Sequence, residues 1–225
     1  MDEDLKELKN SILKTGTTIL GIICKDGVVM AGDRQVTGGN IVMAKDYQKL
    51  FQVNDYLVAS FTGGVSDAQL LKKVVAAELR LKELKSKIRP STKEAANLFA
   101  ILTYRNIRQP AMIPSIVGTL IGGFDENGET KLFSIDPAGG TYEVKDYDAN
   151  FGSGMPYVLG LLERHYKKDM TVKEGVALAV EAIKSSTQRD TGSGFGIDVF
   201  SITKDGIKQA VKQEIESVYK DQKVN

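Results

Sequence analysis

Strand-like and helix-like spacing alternate along this chain in blocks, and the order of those blocks restricts the fold more than any other feature. Residues 17–23 are β-branched and apolar, Lys25-Asp26-Gly27 is a turn, and 28–31 are apolar again, which predicts a hairpin with an Asp-Gly turn. A second strand pair is expected over 49–53 and 56–62 about Asn54-Asp55, with Phe51-Gln52-Val53 alternating as a half-buried strand does. From 67 to 88 the period becomes helical: Leu70, Leu71, Val74, Val75, Leu79 and Leu81 make an apolar stripe. Arg89-Pro90-Ser91 stops that helix, because a residue before proline resists the α region. Ser91 or Thr92 then caps a second helix to about 108, with Glu94 placed for a capping box. Strands return over 115–124, 131–135 and 141–144, helices over 155–168 and 171–189, and strands over 196–203 and from 207 onward. The polar tail 214–225 reads as loose or weakly helical, and a charged lead over 1–16 carries Leu5, Leu8, Ile12 and Leu13 at helical spacing.

Segregated blocks of this kind argue α+β, not the alternation of a parallel α/β fold. Two antiparallel sheets covered on both sides by helix pairs would use every element, which predicts a four-layer αββα sandwich. No repeat or Gly/Ser-rich linker divides the 225 residues, a length that suits one large domain with its own core.

Composition removes several classes of function. Lys plus Arg number 30 against 29 for Asp plus Glu, and a net charge of +1 gives no global electrostatic reason to bind nucleic acid or an acidic membrane. One cysteine, Cys24, and one histidine, His165, leave no intrachain disulfide, no cysteine zinc site and no multi-histidine metal site. No metal and no cofactor are expected. The longest apolar runs, 19–23 and 28–31, are too short to cross a bilayer, and the acidic start Met1-Asp2-Glu3-Asp4 is unlike a secretory signal. A cytoplasmic protein is the expectation.

The common catalytic sets fail. A Ser-His-Asp triad would have to use His165, which reads as a surface residue at a polar helix end. Cys24 reads as a small buried hydrophobe. The run 192–196 is glycine-rich but precedes a strand, where a dinucleotide fingerprint would open a helix. There remains the abrupt boundary Lys14-Thr15-Gly16-Thr17-Thr18. A threonine hydroxyl needs an activating base. At a chain N-terminus threonine carries its own, an α-amino group with a pKa of about 8. Removal of residues 1–16 would create that arrangement at Thr17, with Gly16 free to take the strained backbone that lets the hydroxyl reach its carbonyl.

Further motifs stand at ordered spacing. Gly32-Asp33-Arg34-Gln35-Val36-Thr37 follows the first hairpin, and Lys49 follows Asp33 by sixteen residues. Phe61-Thr62-Gly63-Gly64-Val65-Ser66-Asp67 lies at a strand-to-helix junction, Phe151-Gly152-Ser153-Gly154 opens the third helix, and Arg189-Asp190-Thr191-Gly192-Ser193-Gly194 leads into the last strands. Together they resemble the β-subunit family of the proteasome core particle in its archaeal or bacterial-like form, from Thr15 to about Ile207.

The resemblance implies the N-terminal-nucleophile hydrolase fold, the same αββα sandwich that the block order predicts. It implies a propeptide over 1–16 cut autocatalytically between Gly16 and Thr17, followed by a threonine endopeptidase domain over 17–225. Thr17 would be the nucleophile with its freed amine as proton acceptor. Lys49 would stand as a cation beside the hydroxyl, Asp33 would hold Lys49, and the Gly63 N–H would supply the oxyanion hole. Asp190, Ser193 and Ser153 match the residues that order the amine. Val36, Phe61 and Val65 would line an apolar pocket for the residue before the cut. Gln35 stands where arginine is frequent, Val36 and Gly32 where alanine is, and Ser66 where glycine is. The implied partners are other β subunits in a seven-membered ring, α subunits, a gating ATPase acting indirectly, and unfolded polypeptide substrates. The alternatives are a non-catalytic ring subunit, the bacterial two-ring threonine peptidase that works with an unfoldase, and a non-enzymatic α+β binding domain.

Overall fold

The long apolar runs of this chain belong to strands whose two faces are both covered. The computed structural model describes residues 16–216, so the charged lead read over 1–16, all but Gly16, and the tail beyond 216 lie outside the described residues. The first half contains β1 (Ile19–Cys24), β2 (Gly27–Asp33), β3 (Val36–Gly38), β4 (Ile41–Ala44), β5 (Leu50–Asn54), β6 (Leu57–Gly63), α1 (Val65–Ser86) and α2 (Thr92–Arg108). The second contains β7 (Val117–Phe124), β8 (Thr130–Ile135), β9 (Thr141–Val144), β10 (Tyr147–Asp148), α3 (Met155–His165), α4 (Val172–Thr187), β11 (Gly196–Thr203) and β12 (Gly206–Glu214).

Two five-stranded antiparallel sheets result, in the orders β10-β1-β2-β11-β12 and β5-β6-β7-β8-β9. Period-two alternation then assigns each side chain to a layer. Leu20 and Ile22 of β1, with Val29 and Ala31 of β2, face α3 and α4, where they meet Val158, Leu162, Ala179 and Ile183. Their neighbours Ile19, Val28 and Met30 face the other sheet and meet Leu50, Val58, Leu120 and Leu132. Leu57, Ala59 and Phe61 turn outward onto α1 and α2, against Leu71, Val75, Leu79 and Phe99. Three apolar layers therefore hold four structural ones: an αββα sandwich, as the block order predicts.

Local signals fix the helix starts. Ser91 and Thr171 each accept a hydrogen bond from the N–H three residues on, while Glu94 and Glu174 reach back to the cap N–H. Three details differ from the sequence reading. A separate hairpin, β3–β4, turns on Gly39 at φ +62° where only motif residues were read. The third helix ends at His165, three residues early, because Tyr166 adopts an extended backbone and packs its ring edgewise on Tyr147, centroids 5.1 Å apart. In α1 only part of the apolar stripe is core: Ala68, Leu71, Val75 and Leu79 are buried, whereas Leu70 and Leu81 are exposed. No helix among the described residues is long and apolar enough to cross a membrane.

Candidate active site

Thr17 sits where three loop ends converge, just before β1, and its own backbone is gripped on both sides. Its N–H donates to Ser153 Oγ at 3.1 Å, and its carbonyl accepts from the Gly154 N–H at 3.3 Å. Its hydroxyl donates to the Gly16 carbonyl at 2.6 Å. The turn that delivers Ser153 is pinned by Asn150, at φ +47°, whose side-chain amide donates to Thr119 O, Ser134 Oγ and Ile135 O in the second sheet. The sequence reading missed Asn150.

Gly16 meets a steric demand that the sequence did not reveal: its Cα lies against Gly192, and a Cβ on either residue would overlap backbone atoms of the other. Two glycines permit that close approach.

Asp33 is fully buried at the end of β2 and accepts four hydrogen bonds. Lys49 Nζ (2.5 Å) and the Thr18 N–H (2.8 Å) reach Oδ1; the N–H groups of Gln35 and Gly194 reach Oδ2, both at 3.0 Å. Burial draws the Lys49 ammonium below the ordinary lysine value of 10.5, and the Asp33 charge and hydrogen bond oppose that shift. Asp190 gathers the other cluster: Ser153 Oγ (2.6 Å) and Ser193 Oγ (2.5 Å) donate to its Oδ2, and the Gly192 N–H donates to Oδ1 at 3.1 Å. Thr17, Asp33, Lys49, Ser153, Asp190 and Ser193 thus occupy one connected network.

Ladder alternation aims Gly63. Phe124 donates to Tyr56 O and Gly64 to Ile116 O, so even-numbered residues of β6 hydrogen-bond to β7. Odd-numbered ones face the opposite edge, where the Phe61 N–H reaches Lys49 O at 3.4 Å. The β5 ladder has ended by Leu50–Ser60, so the Gly63 N–H is directed past the end of β5. Gly63 itself has φ +99°, and a Cβ there would overlap Ile116 O.

Two cavities meet at Thr17, Thr62 and Gly63. The smaller is lined by Val36, Phe61 and Val65 together with Tyr47, Phe51 and Lys49. The larger runs past Ile113, Ile116, Phe151 and Ser153. Tyr47 and Phe51 become visible as lining only once β5 is set beside α1. Gln35 donates from Nε2 to Thr37 Oγ1 and Thr191 O, both at 2.8 Å, and so ties the loop after β2 to the 191–194 loop.

Arg34, also missed, forks onto buried Asp198 at 2.6 and 2.7 Å and pairs with Asp46; burial pushes the Asp198 carboxyl up while Arg34 opposes it. His165 is exposed and Cys24 is buried, its thiol pushed up to about 12 by that burial; neither lines these cavities. Among the described residues no group of three or more His, Cys, Asp or Glu side chains could hold a metal ion. The arrangement offers a hydroxyl, a buried lysine–carboxylate pair, an aimed backbone N–H and an apolar recess at one point.

Comparison with known proteins gives one family. The family profile described as "Proteasome subunit" matches residues 13–202. A "Proteasome subunit beta" of Methanocaldococcus vulcanius is 38% identical over 200 residues, covering 89% of this chain and 87% of that protein. A protein of the same name from Archaeoglobus profundus is 37% identical, covering 95% and 96%; another from Methanobrevibacter ruminantium is 39% identical, covering 90% and 93%.

Proposed function

This chain belongs to the proteasome subunit family, with β-subunit relatives across nearly its whole length, and from that premise we propose that it is a threonine-type endopeptidase. The observation that carries the reading is the single network joining Thr17 to Lys49–Asp33 on one side and to Ser153–Asp190–Ser193 on the other. As a proteasome subunit the chain assembles with other proteasome subunits. The proposal adds a seven-membered β ring stacked on α subunits, with unfolded polypeptide as substrate.

Cleavage after Gly16 comes first. The Thr17 nitrogen is then still an amide and cannot act as base. With Lys49 held by Asp33 as the neighbouring cation, Oγ1 adds to the Gly16 carbonyl carbon, and the hydroxyl proton passes to the nitrogen of the tetrahedral adduct as the C–N bond breaks. Water hydrolyses the resulting ester to release residues 1–16.

In the mature cycle the freed amine accepts the proton from Oγ1 while the oxygen attacks the substrate carbonyl. Lys49, held by Asp33, is then the cation that lowers the hydroxyl pKa. The Gly63 N–H stabilises the oxyanion, a contribution of about 3–4 kcal/mol. The leaving amine takes the proton, and water cleaves the acyl ester. The recess of Val36, Phe61, Val65, Tyr47 and Phe51 suits an apolar residue before the cut. The test is Thr17→Ala in the assembled particle: peptidase activity on fluorogenic peptides should vanish with assembly unchanged. Activity retained by that variant would refute the reading.

A further inference from the structure

The residues around Thr17 form two charged clusters, and Thr18 is the side chain that joins them. On one side Thr18 and Asp33 clasp each other: the Thr18 N–H donates to Asp33 Oδ1 at 2.8 Å, and the Asp33 N–H donates to Thr18 O at 3.1 Å. That same Oδ1 takes Lys49 Nζ at 2.5 Å. On the other side Thr18 Oγ1 meets Ser193 Oγ at 2.7 Å.

Counting protons gives the direction of that contact. Ser193 has one hydroxyl proton and spends it on Asp190 Oδ2 at 2.5 Å, so Thr18 is the donor. Ser153 likewise gives its proton to Asp190 Oδ2, so its oxygen is free to accept the Thr17 N–H. Hydroxyls from both sides therefore point toward one carboxylate, and such chains strengthen cooperatively. Thr18 is 1% exposed, and Gly154 has no room for a Cβ because Thr18 Oγ1 fills the space. Starting a strand would not by itself require that hydroxyl, since valine and isoleucine do so equally well.

We propose that Thr18 is a positioning residue of the peptidase reaction. Its hydroxyl locks the Asp190 cluster, which holds the Thr17 nitrogen, to the Asp33–Lys49 pair, whose lysine lines the same cavity as Thr17. Nitrogen and oxygen then keep one relative geometry through each turnover. The inference rests on the threonine-peptidase reading above. A backbone bond from the Gly194 N–H to Asp33 Oδ2 links the same two segments, so losing the Thr18 hydroxyl should loosen the alignment without unfolding the site.

The experiment compares Thr18→Val, Thr18→Ala and Thr18→Ser with wild type in the assembled particle, measuring kcat, KM and the pH dependence of kcat/KM. Valine keeps the shape and loses the proton donor; alanine adds no bulk, so one of the two remains readable if the other fails to assemble. The expected result for either is a fall of about tenfold in kcat at unchanged KM, the size of one lost hydrogen bond to a polarised network. The acid limb of kcat/KM should also move to higher pH. Without the Thr18 proton more of the Asp190 charge acts on the Thr17 amine, favours its protonated form and delays its use as a base. Thr18→Ser should recover wild-type kcat within twofold.

Unchanged kcat and pH profile in both Thr18→Val and Thr18→Ala would overturn the inference. So would a Thr18→Ser as impaired as they are. A wild-type particle that starts at Thr17, assembles and cleaves no peptide would overturn the peptidase reading, and this inference with it.

Discussion

Replacing Asp33 by asparagine removes one charge and rearranges four buried hydrogen bonds, so the size of its effect can be worked from the geometry. Two donors, Lys49 Nζ and the Thr18 N–H, converge on Oδ1, and two more, the N–H groups of Gln35 and Gly194, converge on Oδ2. An asparagine has one acceptor oxygen and one NH2 group. Whichever way its amide is turned, two buried donors face another donor. Each stranded donor costs about 1–3 kcal/mol, which sums to about 4 kcal/mol at mid-range. At about 2–4 °C per kcal/mol for a chain of this size, Asp33→Asn should lower Tm by about 12 °C. The assay is calorimetric unfolding of the full chain at pH 7, purified without partner subunits so that assembly does not move the transition. Asp205→Asn, at an exposed turn, is the control and should stay within about 0.5 kcal/mol of wild type. A loss below about 3 °C for Asp33→Asn would refute the claim that these four donors depend on the carboxylate.

Other consequences are separately measurable. Ser91→Ala removes the N-cap of α2 and should cost about 1 kcal/mol in chemical denaturation. Glu94 is held below its ordinary 4.5 by the Lys82 hydrogen bond and the Ser91 N–H, and Glu174 by the Thr171 N–H and hydroxyl. Their contribution is present in full above about pH 4.5 and is lost as pH falls through the lowered values, so wild type should lose stability on acidification more steeply than a Glu94→Gln, Glu174→Gln double variant, in which neither group titrates. Phe99→Ala, at a fully buried position, should cost about 3–5 kcal/mol. Phe61 lies 5.8 Å from it between ring centroids, so the double variant with Phe61→Ala should be less than additive. Across a panel of fluorogenic peptides, cleavage should follow apolar residues in preference to charged ones; a preference for acidic or basic residues would contradict the lining of the smaller cavity.

Much of the sandwich was legible because its signals are local. The Asp-Gly turn before β2, the capping boxes at Ser91 and Thr171 and the block order each speak through neighbouring residues. The β3–β4 hairpin was not read, although Gly38-Gly39-Asn40 carries a turn signal, because its strands are three and four residues long and β4 is largely exposed. At the site, the sequence offered the residue types that carry protons, at recognisable spacing. It did not offer Thr18, Asn150, Tyr47 or Phe51, whose parts depend on which loops meet. Gly16 shows the difference well: glycine was legible, but the backbone of Gly192 lying against it belongs to a contact between residues 176 apart in sequence. Likewise Lys49 was legible as a cation, whereas the pull of burial on its proton follows only from the closed surroundings.

The central claim is that Thr17 becomes a chain terminus and acts from there. Intact mass with N-terminal sequencing, on chain co-produced with an α-type partner so that assembly can occur, tests it most directly. The expected result is a chain beginning at Thr17 in wild type, and a Lys49→Ala variant that assembles and stays uncut. A wild-type chain still beginning at Met1 or Asp2 within assembled particles would contradict the mechanism and leave only the fold.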